Sequence, residues 1–356
     1  SAVDEFCEKY NAVVIGDHTS NYKGKYGVLA SLVTSQKQYK AKCAQMDVLI
    51  HLGDISGAYL TLYPKETWRV DISGHICDTF KKLRYVFEMD ELEFFSRYNT
   101  LSKGYNVDYF GKWRLEDHAL RNKILELPFS NIWMAQQLSK KMPANCILHL
   151  GILNSLRSWN FFDIDPSIAV YSNTGGFGID GCVSSLIGAS LASPAKLYFG
   201  VVGDLAFFYD MNALGNRHCG NNIRLLIINN GRGQEFRNYG NRAAQFGEDT
   251  DTFIAAAGHY GNQSKTLVKN YVENLGFRYL TADSKSTFEQ CMDEFVCAKP
   301  LDKPLVFEVF TDTSSETEAL KIMSTLETTV DESAKQMVKN ILGNKGVQVL
   351  RTILKK

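Results

Sequence analysis

Leu197-Tyr198-Phe199-Gly200-Val201-Val202-Gly203-Asp204-Leu205 is followed, a helix-length segment later, by Ile223-Arg224-Leu225-Leu226-Ile227-Ile228-Asn229-Asn230-Gly231. Each stretch is a short apolar run closed by a small or polar residue, the pattern of a strand buried in a parallel sheet. If the two runs are neighbours, the Asp204 carboxylate and the Asn230 carboxamide meet at the carboxyl edge of the sheet. Open α/β sheets bind ligands at that edge. Two protein oxygens are a sparse set for a hard cation, and Mg²⁺ bound so sparsely completes its shell with phosphate and water. The pair therefore points to a diphosphate cofactor held through a metal ion.

The rest of the chain supports such a sheet. Strands are predicted at Cys146 to Leu150, Ile168 to Tyr171, Leu197 to Val202, Ile223 to Ile228, Phe277 to Leu280 and Leu305 to Phe310. Helices are predicted at Asp180 to Leu191, Phe207 to Asn216, Ser264 to Leu275 and Ser286 to Phe295. This alternation implies an α/β fold with right-handed crossovers. Ser130 is placed to cap a helix from Asn131 to Lys141. An earlier unit has apolar runs at Ala12 to Ile15, Asp47 to Leu52, Trp68 to Ile72 and Tyr85 to Phe87. Helical stretches are expected at Lys37 to Cys43 and Glu91 to Tyr98, and Thr100 to Trp113 reads as a connector. Two Rossmann-like parallel-sheet domains result, over residues 1–127 and 128–331. Residues 332–356 form a helical basic tail, broken by Gly343 and Gly346 before Val347 to Lys356.

Bulk properties exclude some classes. Lys and Arg total 39, as do Asp and Glu, so no global charge attracts nucleic acid or an acidic membrane. No segment approaches the roughly 18 uninterrupted apolar residues of a membrane span. The opening residues carry no secretion signal, and the eight scattered cysteines read as reduced buried thiols. A cytoplasmic protein is expected.

Gly176-Phe177-Gly178-Ile179-Asp180-Gly181 admits several readings. It fits the G-x-G-x-x-G dinucleotide fingerprint, with Asp204 as the following acid. Against this, Ser172 to Gly175 add slack before the first motif glycine, and the motif follows the second strand of its unit. Small residues that merely let a loop approach the sheet, or the loop of a different cofactor, are the other readings.

Strand-Gly-Asp, helix, strand-Asn-Asn, with Asp204 and Asn230 26 residues apart, resembles the motif of thiamine diphosphate enzymes. The resemblance narrows through Asn154-Ser155-Leu156, Val170-Tyr171-Ser172-Asn173, Gly178-Ile179-Asp180-Gly181, Gly203-Asp204-Leu205, Tyr209-Asp210-Met211-Asn212 and Gly233-Gln234-Glu235-Phe236. This series is similar to the synthases of menaquinone biosynthesis that make 2-succinyl-5-enolpyruvyl-6-hydroxy-3-cyclohexene-1-carboxylate. It is dense from about Ile147 to Phe236, while the first unit echoes part of the family's middle domain.

The resemblance implies thiamine diphosphate and Mg²⁺ as cofactors and a 2-oxo acid as substrate. Asp204, the Asn230 side chain and the Arg232 carbonyl would bind the metal. Ile179 would wedge the cofactor into its bent form, and the Phe177 carbonyl would accept from its pyrimidine amino group. Gly178 belongs to the same loop. Asn154 and Ser155 would face the diphosphate or substrate, and Gly203, Leu205 and Ala206 would line the phosphate. The family's catalytic glutamate lies on a pyrimidine-binding domain with no counterpart here. That domain is expected in trans or beyond this chain, with the site formed between subunits of a dimer or tetramer. The chain alone is expected to be inactive, as the carboxyl-terminal portion of a longer or split decarboxylase or carboligase. A non-catalytic binding or assembly module is the alternative. Trp159 and Thr174 stand where the menaquinone synthases carry substrate-binding arginines. That departure favours different substrates, because neither side chain replaces bidentate guanidinium recognition. His149 reads as a core residue. His259 reads as a loop residue within reach of substrate at most.

Overall fold

The computed structural model describes residues 1–53, 58, 60–101, 108–174, 178–238, 241–252 and 264–327. Phe177, Gly175, Gly176, His259 and the tail after residue 327 lie outside the described residues.

The larger unit is a six-stranded sheet, parallel throughout, built from β6 (Ile147–Leu150), β7 (Ala169–Tyr171), β8 (Tyr198–Gly203), β9 (Ile223–Asn229), β10 (Arg278–Ala282) and β11 (Leu305–Phe310). The strand order is β10-β11-β9-β8-β6-β7. The chain reverses direction across the sheet between β6 and β8, which makes their carboxyl ends a topological switch point.

Alternate residues of these strands enter two separate cores. Leu148, Phe199, Val201, Leu226, Ile228, Phe307 and Val309 face one side. There they meet α5 (Asn131–Leu138), α6 (Asn154–Trp159), α10 (Lys285–Phe295) and α11 (Thr313–Ser324). Tyr198, Val202, Leu225, Ile227 and Val306 face the other side, against α7 (Cys182–Ala192), α8 (Asp204–Asp210) and α9 (Leu267–Asn274). Period-two burial on both faces is the reason these strands read as unbroken apolar runs. Gly200 lets α7 close on the sheet, since a Cβ there would lie 2.6 Å from a methyl carbon of Leu186.

The amino-terminal portion holds α1 (Ala2–Tyr10), a parallel pair β1 (Val14–Gly16) and β2 (Gly27–Leu29), and α2 (Ser31–Thr34). A parallel three-stranded sheet follows, from β3 (Gln45–His51), β4 (Tyr63–Asp71) and β5 (Leu83–Glu88). Phe6 of α1 and Phe94 and Phe95 of α3 (Glu91–Asn99) cover it over Val70. The last helix of this portion is α4 (Tyr109–Arg121). Ala30, Leu32, Val33 and Cys43 share the core of the large sheet. The seam is also polar. Asn21 donates its amide to the Val170 carbonyl at 2.7 Å and accepts from the Val170 N–H at 2.9 Å, completing the edge of β7.

Three expected elements differ. Lys37 to Cys43 is not a helix; only Lys42–Ala44 form a 3-10 turn. Gln36 spans Leu32 and Met323 with its side-chain amide, and the Lys37 N–H donates to Ser324, so tertiary partners take the groups a helix would need. Helix α4 begins inside the expected connector, where the Asp108 side chain accepts from the Gly111 N–H. The helix expected from Phe207 starts at Asp204 and passes at Met211 into a 3-10 segment ending at Gly215. Ser130 caps α5 as expected, accepting from the Trp133 N–H at 3.2 Å. No described helix is long and apolar enough to cross a membrane.

Candidate active site at the carboxyl edge of the large sheet

Adjacent strands β8 and β9 deliver Asp204 and Asn230 to the same edge. Gly203 ends β8 in extended conformation, and Asp204 is the first residue of α8. The Asp204 side chain is 2 % exposed. One oxygen accepts from the Leu205 N–H at 2.7 Å and the other from the Gly231 N–H at 2.8 Å. Burial pushes its pKa up to about 7, and the backbone N–H groups only partly oppose this. An ionised carboxylate buried this deeply is costly unless a cation approaches it.

Gly231 makes that contact possible. Its φ of 76° lies in the left-handed region, which glycine adopts without strain. Its N–H is shared between Asp204 and the Asn229 side-chain oxygen, the latter at 3.2 Å. Asn230 sits at the head of this turn, half-buried, with its side-chain oxygen accepting from the Arg232 N–H at 3.1 Å. A Cβ added at Gly203 or Gly231 would meet nothing within 4 Å. The backbone on either side of Asp204 is thus open to a ligand. Hard oxygen donors, a buried carboxylate with an elevated pKa and open glycine backbone suit a divalent cation carrying a diphosphate.

The remaining sequence candidates are placed as follows. Leu205 and Ala206 are buried in the first turn of α8, and the Leu205 N–H is already engaged by Asp204. Ile179 is half-buried against the core under α7. The neighbouring Gly178 carbonyl accepts from the Asn173 amide at 2.9 Å, which ties this loop to the end of β7. Ser155 is buried at the start of α6. Asn154 follows Leu153, whose φ of 71° and ψ of −116° are costly for a non-glycine residue. The Asn154 oxygen accepts from Asn238 at 2.8 Å. Asn154, Arg157, Gln234, Asn238 and Glu316 line a cavity of about 20 Å³, room for a single water. Arg157 pairs with Glu235 at 2.5 Å, and Arg232 with Glu248 at 3.4 Å. Trp159 is fully buried in the core. His149 packs against the rings of Tyr171 and Tyr198 and is held neutral by burial, its pKa near 4.

Two buried carboxylates escaped the sequence reading. Glu316 of α11 accepts from the Asn131 N–H at 3.0 Å and from the Thr311 hydroxyl at 2.8 Å. Burial, reinforced by the charges of Asp312 and Asp204, raises its pKa to about 7. Glu308 of β11 is fully buried and accepts from Asn229 at 2.8 Å and from the Tyr279 hydroxyl at 2.7 Å. The available signal was a lone glutamate inside the apolar run Leu305-Val306-Phe307-Glu308-Val309-Phe310.

The chain is 33% identical over 259 residues to 2-succinyl-5-enolpyruvyl-6-hydroxy-3-cyclohexene-1-carboxylate synthase of Bacteroides fragilis, covering 72% of this chain and 45% of that protein. The synthase of the same name from Phocaeicola vulgatus matches at 33% over 258 residues, with 72% and 44% covered. The fold matches a thiamine diphosphate-dependent 4-hydroxybenzoylformate decarboxylase of Rhodococcus jostii with a TM-score of 0.55, covering 87% of this chain and 58% of that one at 15% identity. In sequence the chain is a relative of these synthases, and its fold is that of a thiamine diphosphate-dependent enzyme. It resembles the synthases over most of its length, yet spans less than half of theirs. No family model matches it.

Proposed function

We propose that this chain is the cofactor-diphosphate portion of a thiamine diphosphate- and Mg²⁺-dependent enzyme acting on a 2-oxo acid. The observation that carries the reading is Asp204, a buried carboxylate with no ion-pair partner among the described residues, joined through Gly231 to the Asn230 turn. Asp204, the Asn230 side-chain oxygen and the Arg232 carbonyl would hold the cation. Gly203 and Ala206 would approach the diphosphate, and Ile179 would support the cofactor from the α7 side. Thiamine diphosphate, when bound, supplies the nucleophilic carbon and electron sink for decarboxylation and carbon–carbon bond formation. The chain's own residues then bind, orient and exclude water.

The substrate reading departs from the menaquinone synthases. Trp159 is sealed in the core and Arg157 is neutralised by Glu235, so neither offers a free cation to a second carboxylate. A 2-oxo acid whose remainder is uncharged suits this edge better. Domains at 1–127 and 128–331, a pyrimidine-binding domain in trans or elsewhere in a longer protein, a dimer or tetramer and a cytoplasmic location complete the proposal.

Titration calorimetry with thiamine diphosphate tests it. Heat of binding is expected only when Mg²⁺ is present, and Asp204→Ala should abolish it. Binding without metal, or undiminished in the variant, would place the diphosphate elsewhere.

A further inference from the structure

Asn229 is the residue of the Asn-Asn pair that does not face the cation in the proposal above. Its side chain turns inward, where it is 3 % exposed. There its amide donates to Glu308 at 2.8 Å while its oxygen accepts from the Gly231 N–H at 3.2 Å. Glu308 is fully buried in β11, the strand paired with β9 in a register that sets it opposite Ile227. Its second oxygen accepts from the Tyr279 hydroxyl of β10 at 2.7 Å. A continuous chain of hydrogen bonds therefore runs from β10 through β11 to the glycine turn. It runs Tyr279, Glu308, Asn229 and Gly231, and Gly231 itself donates to Asp204. No arginine or lysine bonds to the Glu308 carboxylate among the described residues.

A buried glutamate with two neutral donors is an expensive way to fill a sheet core, and an apolar residue of similar volume would be at least as stable. Its retention calls for something an apolar residue lacks. Glu308 fixes which way the Asn229 amide points. With the Nδ2 group committed to Glu308, the Asn229 oxygen must face Gly231. That contact holds the left-handed turn on which Asn230 and Arg232 stand.

We propose that Glu308 is a positioning residue, which acts through Asn229 to preset the Asn230–Arg232 turn for the cation and diphosphate. The ligand half of this statement rests on the function proposed above; the hold on the turn does not.

The test therefore has one readout with cofactor and one without. Glu308→Met alone would strand the Tyr279 hydroxyl, so it is paired with Tyr279→Phe. Removing the Tyr279 hydroxyl together with the carboxylate leaves only the Asn229 amide without its acceptor. The double variant should stay folded and melt only modestly below the parent. In the absence of any cofactor, hydrogen exchange at the Gly231 amide should be about tenfold faster than in the parent, the worth of roughly one hydrogen bond. Glu308→Gln can still accept from Asn229 and should restore parent protection. With Mn²⁺ as a spectroscopic probe and thiamine diphosphate present, Mn²⁺ affinity should fall about tenfold in the double variant and recover in Glu308→Gln. Unchanged Gly231 exchange in a folded double variant overturns the proposal, as does a Glu308→Gln variant no better than Glu308→Met/Tyr279→Phe. A parent that binds neither Mn²⁺ nor thiamine diphosphate, with Gly231 exchange responding as expected, overturns the cofactor reading and the ligand half while the hold on the turn stands.

Discussion

Asp204 carries the strongest electrostatic consequence of any residue at the candidate site. Its carboxyl titrates near 3.8 ordinarily and near 7 in the fold, because burial penalises the charged form. A raised acid pKa means that the native state holds its proton more tightly than the unfolded chain. Its stabilising contribution is full below about pH 4 and is lost as pH rises through about 7. Glu316 acts in the same sense. The cofactor-free chain should therefore melt at progressively lower temperature between pH 4 and pH 7. Asp204→Asn should flatten part of that slope and leave the Glu316 share. Mg²⁺ with thiamine diphosphate should raise the melting temperature of the parent at pH 8 and leave the variant unmoved. Scanning calorimetry across this range decides it, and identical slopes in parent and variant would dismiss Asp204 as the titrating group. The meeting of Asp204 and Asn230 at one sheet edge was legible in the sequence because each follows an apolar strand run. Glu308 and Glu316 were not, since their partners come from Asn229 and Tyr279 in one case and from Asn131 and Thr311 in the other. Such pairings are set by tertiary structure alone.

At the scale of elements, the edge of β7 shows how a single side chain can replace a strand. Asn21 supplies the donor and acceptor that a neighbouring strand would offer to Val170. It does so from a left-handed conformation, φ 50°, that asparagine tolerates better than most residues. Asn21→Ala should lose two hydrogen bonds and add backbone strain, about 2–3 kcal/mol in all. Asn21→Gly recovers the backbone share and should fall between variant and parent in urea denaturation; equal losses would show that the strain is negligible. A smaller effect belongs to α5. Ser130→Ala removes the cap on the Trp133 N–H and should cost about 1 kcal/mol by the same measurement. Strands of the large sheet were legible because two-sided burial writes itself as apolar runs, and Ser130 because capping is local. Lys37 to Cys43 misled because its composition suits a helix while Ser324, Met323 and Leu32 claim the groups of Lys37 and Gln36. Helix α4 was obscured by the glycine and aromatic residues around its first turn.

At the scale of the molecule, the parallel α/β architecture followed from alternation of elements, whereas the sharing of one core by Ala30 to Ala44 and the large sheet did not. No periodicity reports which distant surfaces meet. The same scale frames the question of what this chain can do by itself. Binding and activation are separable tasks. Binding needs a cation site, which the proposal above assigns to the turn that joins Asp204, Gly231 and Asn230. Activation needs an acid that can exchange a proton with the cofactor ring. The buried glutamates near the edge are already committed. Glu308 serves Asn229 and Tyr279, and Glu316 serves the start of α5 and Thr311. An acid so engaged cannot swing to a ligand without leaving buried donors unpaired. The chain should therefore bind thiamine diphosphate without accelerating deuterium exchange at the reactive carbon of the thiazolium ring, followed by quenched-flow NMR. A positioned general acid contributes about 100-fold or more. Acceleration of that order by the chain alone would show that the activating acid lies within these residues. Rates equal to those of free cofactor, rising when a pyrimidine-binding domain is added, would show that it is supplied from outside.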